Sequence, residues 1–172
     1  MQTKMERIMF DTSVYGNLVK EEFVLNEINN RRKTHEFVIY GNPLIRQELR
    51  ATPKTAVYEN KKLRILLLNT YDNFITKENQ NLKFNKLIET LSKDYFSEYR
   101  KNKGNLSNEA MRNDFIIIAT ATIYQLDVVI SDDENTMLSE KAVDAYMHVN
   151  KKYGLKDPKF KKYNEFKKEL AR

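Results

Sequence analysis

Three short runs rich in β-forming residues, Arg7-Ile-Met-Phe10, Glu36-Phe-Val-Ile-Tyr40 and Asp127-Val-Val-Ile-Ser131, punctuate a 172-residue chain whose other segments read as helices. Strands that alternate with helices indicate an α/β fold with a mostly parallel central sheet flanked by helices. The last run, with its consecutive branched residues, is of the kind buried in such a sheet. Helices are expected from about Val14 to Arg32, from Pro43 to near Ala51, from the cap Ser107 through Gln125, and from beyond the third strand to about Lys152. Residues 55–103 read as wholly helical with a break near 76–81, an extra arm of two helices with ten Lys/Arg against six Asp/Glu. Nothing resembling a repeat or linker divides the chain, so residues 1–172 are expected to form a single domain.

Composition removes several classes of chemistry. Without cysteine there is neither a disulfide nor thiolate-held zinc, and the two histidines, His35 and His148, have no ligand-like spacing, so a metal would have to be held by oxygen. The longest apolar-leaning run, Phe115 to Ile123, is about half of the ~20 residues a spanning helix requires, and no signal-peptide core opens the chain. A soluble, cytoplasmic protein is the expectation. The net charge of +6 resides in residues 150–172, where nine Lys/Arg meet three Asp/Glu. Such a basic segment suits phosphates or an acidic partner, or is simply solvated, while the aromatics of Phe160-Lys-Lys-Tyr-Asn-Glu-Phe166 read as core anchors.

The acids are distributed in a telling way. Asp11 follows the first strand, Glu48 lies in the helix after the second, Asp114 precedes Phe115-Ile-Ile-Ile118, and Asp132-Asp133 follow the third strand. In parallel α/β folds, sites form beyond the carboxyl ends of the strands. Around Glu48 the helical neighbours are Leu44, Ile45, Ala51 and Thr52, and around Asp114 they are Ala110, Met111, Ile117 and Ile118. A carboxylate on an apolar helix face loses hydration as that face packs, at a cost of several kcal/mol unless a partner or metal replaces the water. Asp11 is also a natural N-cap, but Thr12 and Ser13 could cap equally well and release it for a ligand role. Of Asp132 and Asp133, one is expected to serve a metal and the other to cap the helix beyond Asn135, with Glu134 and Asn135 able to assist. Carboxylates gathered in one place repel unless a hard cation such as Mg²⁺ or Mn²⁺ lies between them.

These motifs, in this order, resemble those of PIN-domain ribonucleases, particularly the VapC-like toxins of toxin–antitoxin pairs. The strand leading into Asp11-Thr-Ser13 is similar to the family's first motif, Glu48 to its second, Asn113-Asp114-Phe-Ile-Ile-Ile-Ala119-Thr-Ala121 to its third, and Ser131-Asp132-Asp133 to the Thr/Ser-x-Asp that ends its fourth strand. The resemblance covers most of the chain and places the fourth acid on Asp133, with Asp132 secondary. It departs from the pattern in the long basic arm and in the ending after Asn135.

The resemblance implies Mg²⁺- or Mn²⁺-dependent hydrolysis of RNA to 5′-phosphate and 3′-hydroxyl ends, an antitoxin partner and a homodimer. Asp11, Glu48, Asp114 and Asp133 would be the catalytic and metal-binding acids, with Thr12 and Ser13 in secondary roles and Ser13 orienting metal-bound water. Because four acids repel a polyanion, Lys61, Lys62, Arg64, Lys161 and Lys162 are expected to contact phosphates. Two alternatives stand beside the ribonuclease: a non-cleaving PIN-like module that binds RNA or protein, and a different metal-dependent phosphohydrolase. The second lacks the Asp-x-Asp nucleophile of haloacid dehalogenase-like phosphatases, since Ser13 stands at the second position, and the chain is short for a flap endonuclease.

Overall fold

The first strand enters the core at Ile8, Met9 and Phe10, all inaccessible to solvent, and lies second in a four-stranded sheet. A computed structural model describes residues 3–172. Strands β1 (Glu6–Phe10), β2 (Phe37–Tyr40), β5 (Val128–Ser131) and β6 (Lys159–Lys162) run in the order β2-β1-β5-β6, every pairing parallel. Register brings Phe10 opposite Ile130 and Ser131 opposite Lys162, so β1, β5 and β6 end along one edge. The chain steps one way from β1 to β2 and the other way from β5 to β6. The order therefore reverses between β1 and β5, the switch point at which parallel sheets open a crevice. Asp11 and Ser131-Asp132-Asp133 stand at that crevice.

The helix expected from Val14 to Arg32 is two: α1 (Thr12–Leu18) and α2 (Glu22–Lys33). A straight helix that buried Val14 and Leu18 would next bury Glu21 or Glu22. The turn at 19–21 shifts the phase, so that Val24 and Ile28 pack inward. Helix α3 (Pro43–Arg50) is N-capped by Asn42, whose Oδ1 accepts the Ile45 N–H at 2.8 Å. Tyr71 fixes its entry: the hydroxyl donates to the Asn42 carbonyl at 3.0 Å, and a Cβ on Gly41 would lie 2.3 Å from that hydroxyl. Glycine at 41 thus positions the helix that carries Glu48.

The segment 55–103 is not an arm and is not wholly helical. It opens with a hairpin, β3 (Val57–Tyr58) and β4 (Lys61–Lys62), whose connecting residues Glu59 and Asn60 both have positive φ, 49° and 63°. That is the conformation that matches the twist of a two-residue hairpin. Helices α4 (Leu63–Phe74) and α5 (Lys86–Lys101) follow, separated by a turn of 3-10 helix at Glu78–Gln80. Both are built into the core through Leu67, Tyr71 and Phe74, and through Ile88, Leu91, Tyr95 and Tyr99. Tyr95 reaches the wholly buried Asn150, with 2.6 Å between its hydroxyl and Oδ1, which ties α5 to α7 (Glu140–Lys152). The basic ending likewise packs: β6 completes the sheet, and α8 (Tyr163–Leu170) buries Tyr163, Phe166 and Leu170, as expected of core anchors. Helix α6 (Asn108–Ile123) carries Asp114 and is capped by Ser107 as expected, whereas α7 is capped by Ser139 rather than by either acid of the 132–133 pair.

Candidate active site

Asp11 is 5% exposed at the end of β1, and it is itself the N-cap of α1: Oδ1 accepts the Thr12 N–H at 2.7 Å. The expectation that a neighbouring hydroxyl would cap in its place is thereby corrected. A cap acceptor must sit at the last extended residue, and with ψ at 159° that residue is Asp11. Its other oxygen accepts the hydroxyls of Ser13 at 3.0 Å and Ser131 at 2.8 Å. Burial pushes the carboxyl above its ordinary range. The hydroxyls and the N–H pull it back, and the charge of Asp133 raises it again.

Ser131 went without a role in the sequence reading, yet it links two of the acids. Its wholly buried Oγ donates to Asp11 and accepts the Asp133 N–H at 3.0 Å. Asp133 closes a turn, its Oδ1 accepting the N–H groups of Asn135 at 3.2 Å and Thr136 at 3.0 Å while the Thr136 hydroxyl donates to Oδ2. Asp132 is exposed and points elsewhere, accepting from Asn17 Nδ2 at 3.0 Å, and its N–H donates to Ser13 Oγ at 3.0 Å. Of the pair, Asp133 is the one whose charge reaches Asp11 and Asp114.

Glu48 projects from the last turn of α3 toward α1, where the Thr12 hydroxyl donates to Oε1 at 3.1 Å. Neither sequence-adjacent arginine is bonded to it: Arg46 forms two 3.0 Å bonds with Asp72 instead. Burial raises the Glu48 carboxyl. A bond from Thr12 lowers it, the charge of Asp11 raises it, and the nearby Asn113 side chain lowers it. Asp114 is pushed up to about 7, first by burial and then by the charges of Asp11, Asp133 and Glu48, with the neighbouring Thr136 side chain acting against them. The four acids are therefore electrostatic neighbours at the crevice, with hydroxyls rather than cations among them. Thr136 and Asn113 were missed as assisting groups. The Asp-x-x-Thr spacing of a side-chain-closed turn was the available signal for the first.

The donor chemistry of this cluster fits a hard divalent cation, since oxygen ligands are what such ions take and positive charge would relieve the repulsion. The side chains as they stand do not complete such a site: among the described residues no group of three or more acids or histidines is arranged to hold an ion. Hydroxyls now occupy several of the oxygens a metal would use, and Asp133 is bound within its own turn. The larger cavities lie elsewhere: those of about 580 Å³ (beside Arg7, Tyr40 and Tyr124), 460 Å³ (beside Arg31 and Glu169) and 390 Å³ (beside Asp127 and Gly154) hold none of the four acids.

The cations expected at the rim divide into two groups. On β6, Lys161 pairs with Glu169 at 2.7 Å and Lys162 with Glu134 at 3.3 Å. In sequence these lysines look unopposed because their partners come from α8 and from the loop after β5. On the hairpin, Lys61 and Lys62 are exposed. His148 lies 3.7 Å from Glu98 rather than beside one of the four acids.

No protein-family model matches the sequence, and no curated protein matches it. Among solved structures, a chain in the crystal structure of DNA-bound VapBC from Salmonella typhimurium is similar, with a TM-score of 0.57 and 12% identity over 92% of this chain and 98% of that one. The chain thus has a PIN-like α/β fold, as its motifs led one to expect. Among the described residues no helix is long and apolar enough to cross a membrane.

Proposed function

We propose that this chain is a cytoplasmic PIN-type endoribonuclease, the toxin of a toxin–antitoxin pair, hydrolysing RNA phosphodiesters at Asp11, Glu48, Asp114 and Asp133. The observation that carries the reading is the convergence of these acids at the switch point, with Asp114 held near 7 by burial and by three like charges. A fold rarely retains such a cluster for stability, because each ionised carboxylate added to it raises the energy of the others. Mg²⁺ or Mn²⁺, held by the four acids, would supply an activated water and offset charge on the leaving oxygen. Ser131 and Ser13 hold the Asp11 carboxylate in one orientation, Thr12 does the same for Glu48, and Thr136 for Asp133. No histidine is required as a base. The similar structure is of VapBC bound to DNA, which supports including an antitoxin as partner. A homodimer is proposed from the family resemblance alone.

The test is cleavage of total RNA by the purified protein in Mg²⁺, Mn²⁺ or EDTA, with wild type compared against Asp114→Asn. Metal-dependent cutting that the substitution abolishes supports the reading. Cutting that survives either EDTA or the substitution overturns it. The second reading, a module that binds without cutting, is favoured by one observation: Asp133 spends both oxygens inside its own turn. RNA binding by wild type and variant, with no cleavage by either, would select it.

A further inference from the structure

The β3–β4 hairpin is where this chain departs most from the sequence expectation, and its construction suits one task. A two-residue connection pairs Tyr58 with Lys61 and Val57 with Lys62. Directly opposed residues share a face of the ribbon, so Tyr58 and Lys61 project from one face, while Val57 and Lys62 occupy the other. Lys20, just beyond α1, places its ammonium 6.0 Å from the centre of the Tyr58 ring. One face of the hairpin thus carries Tyr58 and Lys61, with the Lys20 ammonium over the ring.

Its charge is also available. Among the described residues, Lys20, Lys61, Lys62 and Arg64 have no carboxylate within 4.0 Å, whereas Lys161 and Lys162 both do. Val57 is 67% exposed on the face that carries Lys62, while Tyr58 on the other face is half-buried. The hairpin is joined to the acids on two sides. It follows α3, the helix of Glu48, and it meets Lys20 at the far end of α1, whose N-cap is Asp11. The seven residues of α1 rise roughly 10 Å at about 1.5 Å each, so a strand only a few nucleotides long could span from the acids to the ring.

The geometry points to the hairpin as a clamp for single-stranded RNA, the strand passing around the ribbon with phosphates on Lys20 and Lys61 of one face and on Lys62 of the other, and with one unpaired base stacked on Tyr58. A ring flanked by cations is the arrangement that grips single strands without reading sequence. A duplex keeps its bases stacked within itself and cannot use the ring. At 6.0 Å the Lys20 ammonium is at the limit of cation–π range, so a base can take its place while the ammonium moves to the adjoining phosphate. This inference rests on the ribonuclease reading for its substrate, and the experiment below separates the two.

Binding of a labelled single-stranded RNA, the matching duplex and polyglutamate is measured by fluorescence anisotropy in EDTA over a range of salt, and cleavage of the single strand is measured in Mn²⁺. Lys61→Ala/Lys62→Ala is expected to reduce the slope of log affinity against log salt by about 1.4, near 0.7 per phosphate contact. Tyr58→Ala is expected to weaken single-strand binding by roughly 5- to 150-fold, the range for loss of one stacked base, and to leave duplex binding unchanged. Lys61→Arg/Lys62→Arg is expected to retain affinity, and circular dichroism checks that each variant is folded. An unchanged slope in the double-alanine variant overturns the clamp, as does equal competition by polyglutamate or an absence of RNA binding by wild type. Hairpin-dependent binding without cleavage leaves the clamp standing and removes the ribonuclease reading, while cleavage indifferent to the hairpin does the reverse.

Discussion

The two ends of strand β5 carry aspartates in opposite circumstances. Asp127, just before the strand, accepts the Arg7 backbone N–H at 2.9 Å and the Lys4 ammonium at 3.2 Å. Burial pushes its carboxyl up, but those donors prevail and hold it below the ordinary range. Beyond the strand, Asp133 has only N–H groups and hydroxyls for company, and its charge helps push Asp11 and Asp114 upward. One aspartate is a clamp that stabilises the sheet when ionised. The other belongs to a cluster in which Asp11 and Asp114 resist ionisation, and a protein retains such a cluster where something positive is to be bound.

The largest contrast is expected in catalysis. Asp114→Asn should lower metal-dependent RNA cleavage by at least about 100-fold, since even residues that only orient metal ligands are worth 10- to 100-fold, whereas Asp127→Asn should leave the rate within about twofold. Equal losses in both variants would remove the distinction. Next in size is Ser131→Ala, which takes one hydrogen bond from Asp11 and one from the Asp133 N–H and should cost roughly 10- to 100-fold in metal affinity, measured by titration calorimetry.

The stability effects are smaller and opposite in sign. Without metal, the raised pKa of Asp114 means that the folded state binds a proton the unfolded chain does not between about pH 4 and 7. Its contribution to stability therefore falls as pH rises through that window, and Asp114→Asn in EDTA should raise the melting temperature at pH 8 by a few degrees and have little effect near pH 4. For Asp127 the folded pKa is depressed, so its contribution is present at neutral pH and is lost as pH falls below the ordinary carboxylate range. Asp127→Asn should cost about 1 kcal/mol at pH 7, discounted for its partial exposure and read from urea midpoints.

The same contrast shows what could be read in the sequence. The buried strands and the four acids announced themselves because periodicity and strand-end position are local properties, and the reversal of strand order then brings Asp11 and Asp133 to one crevice. What escaped depends on partners distant in the chain. The ion pairs of Lys161 and Lys162 come from other elements, β6 has too few branched residues to read as a strand, and the hairpin lies in its positive-φ turn of Glu59 and Asn60, which lacks the Asn-Gly or Asp-Gly signal. The break after α1 was legible only through the phase of burial, which required knowing which side faced the sheet.

The central claim is that the acids beyond β1 and β5 act together as one cation site. Mn²⁺ binding followed by electron paramagnetic resonance, with wild type, Asp114→Asn and Asp127→Asn side by side, tests it most directly. Saturable binding to wild type and Asp127→Asn that is lost in Asp114→Asn is the predicted result. Absence of saturable binding to wild type, or binding that Asp114→Asn leaves intact, would contradict the account.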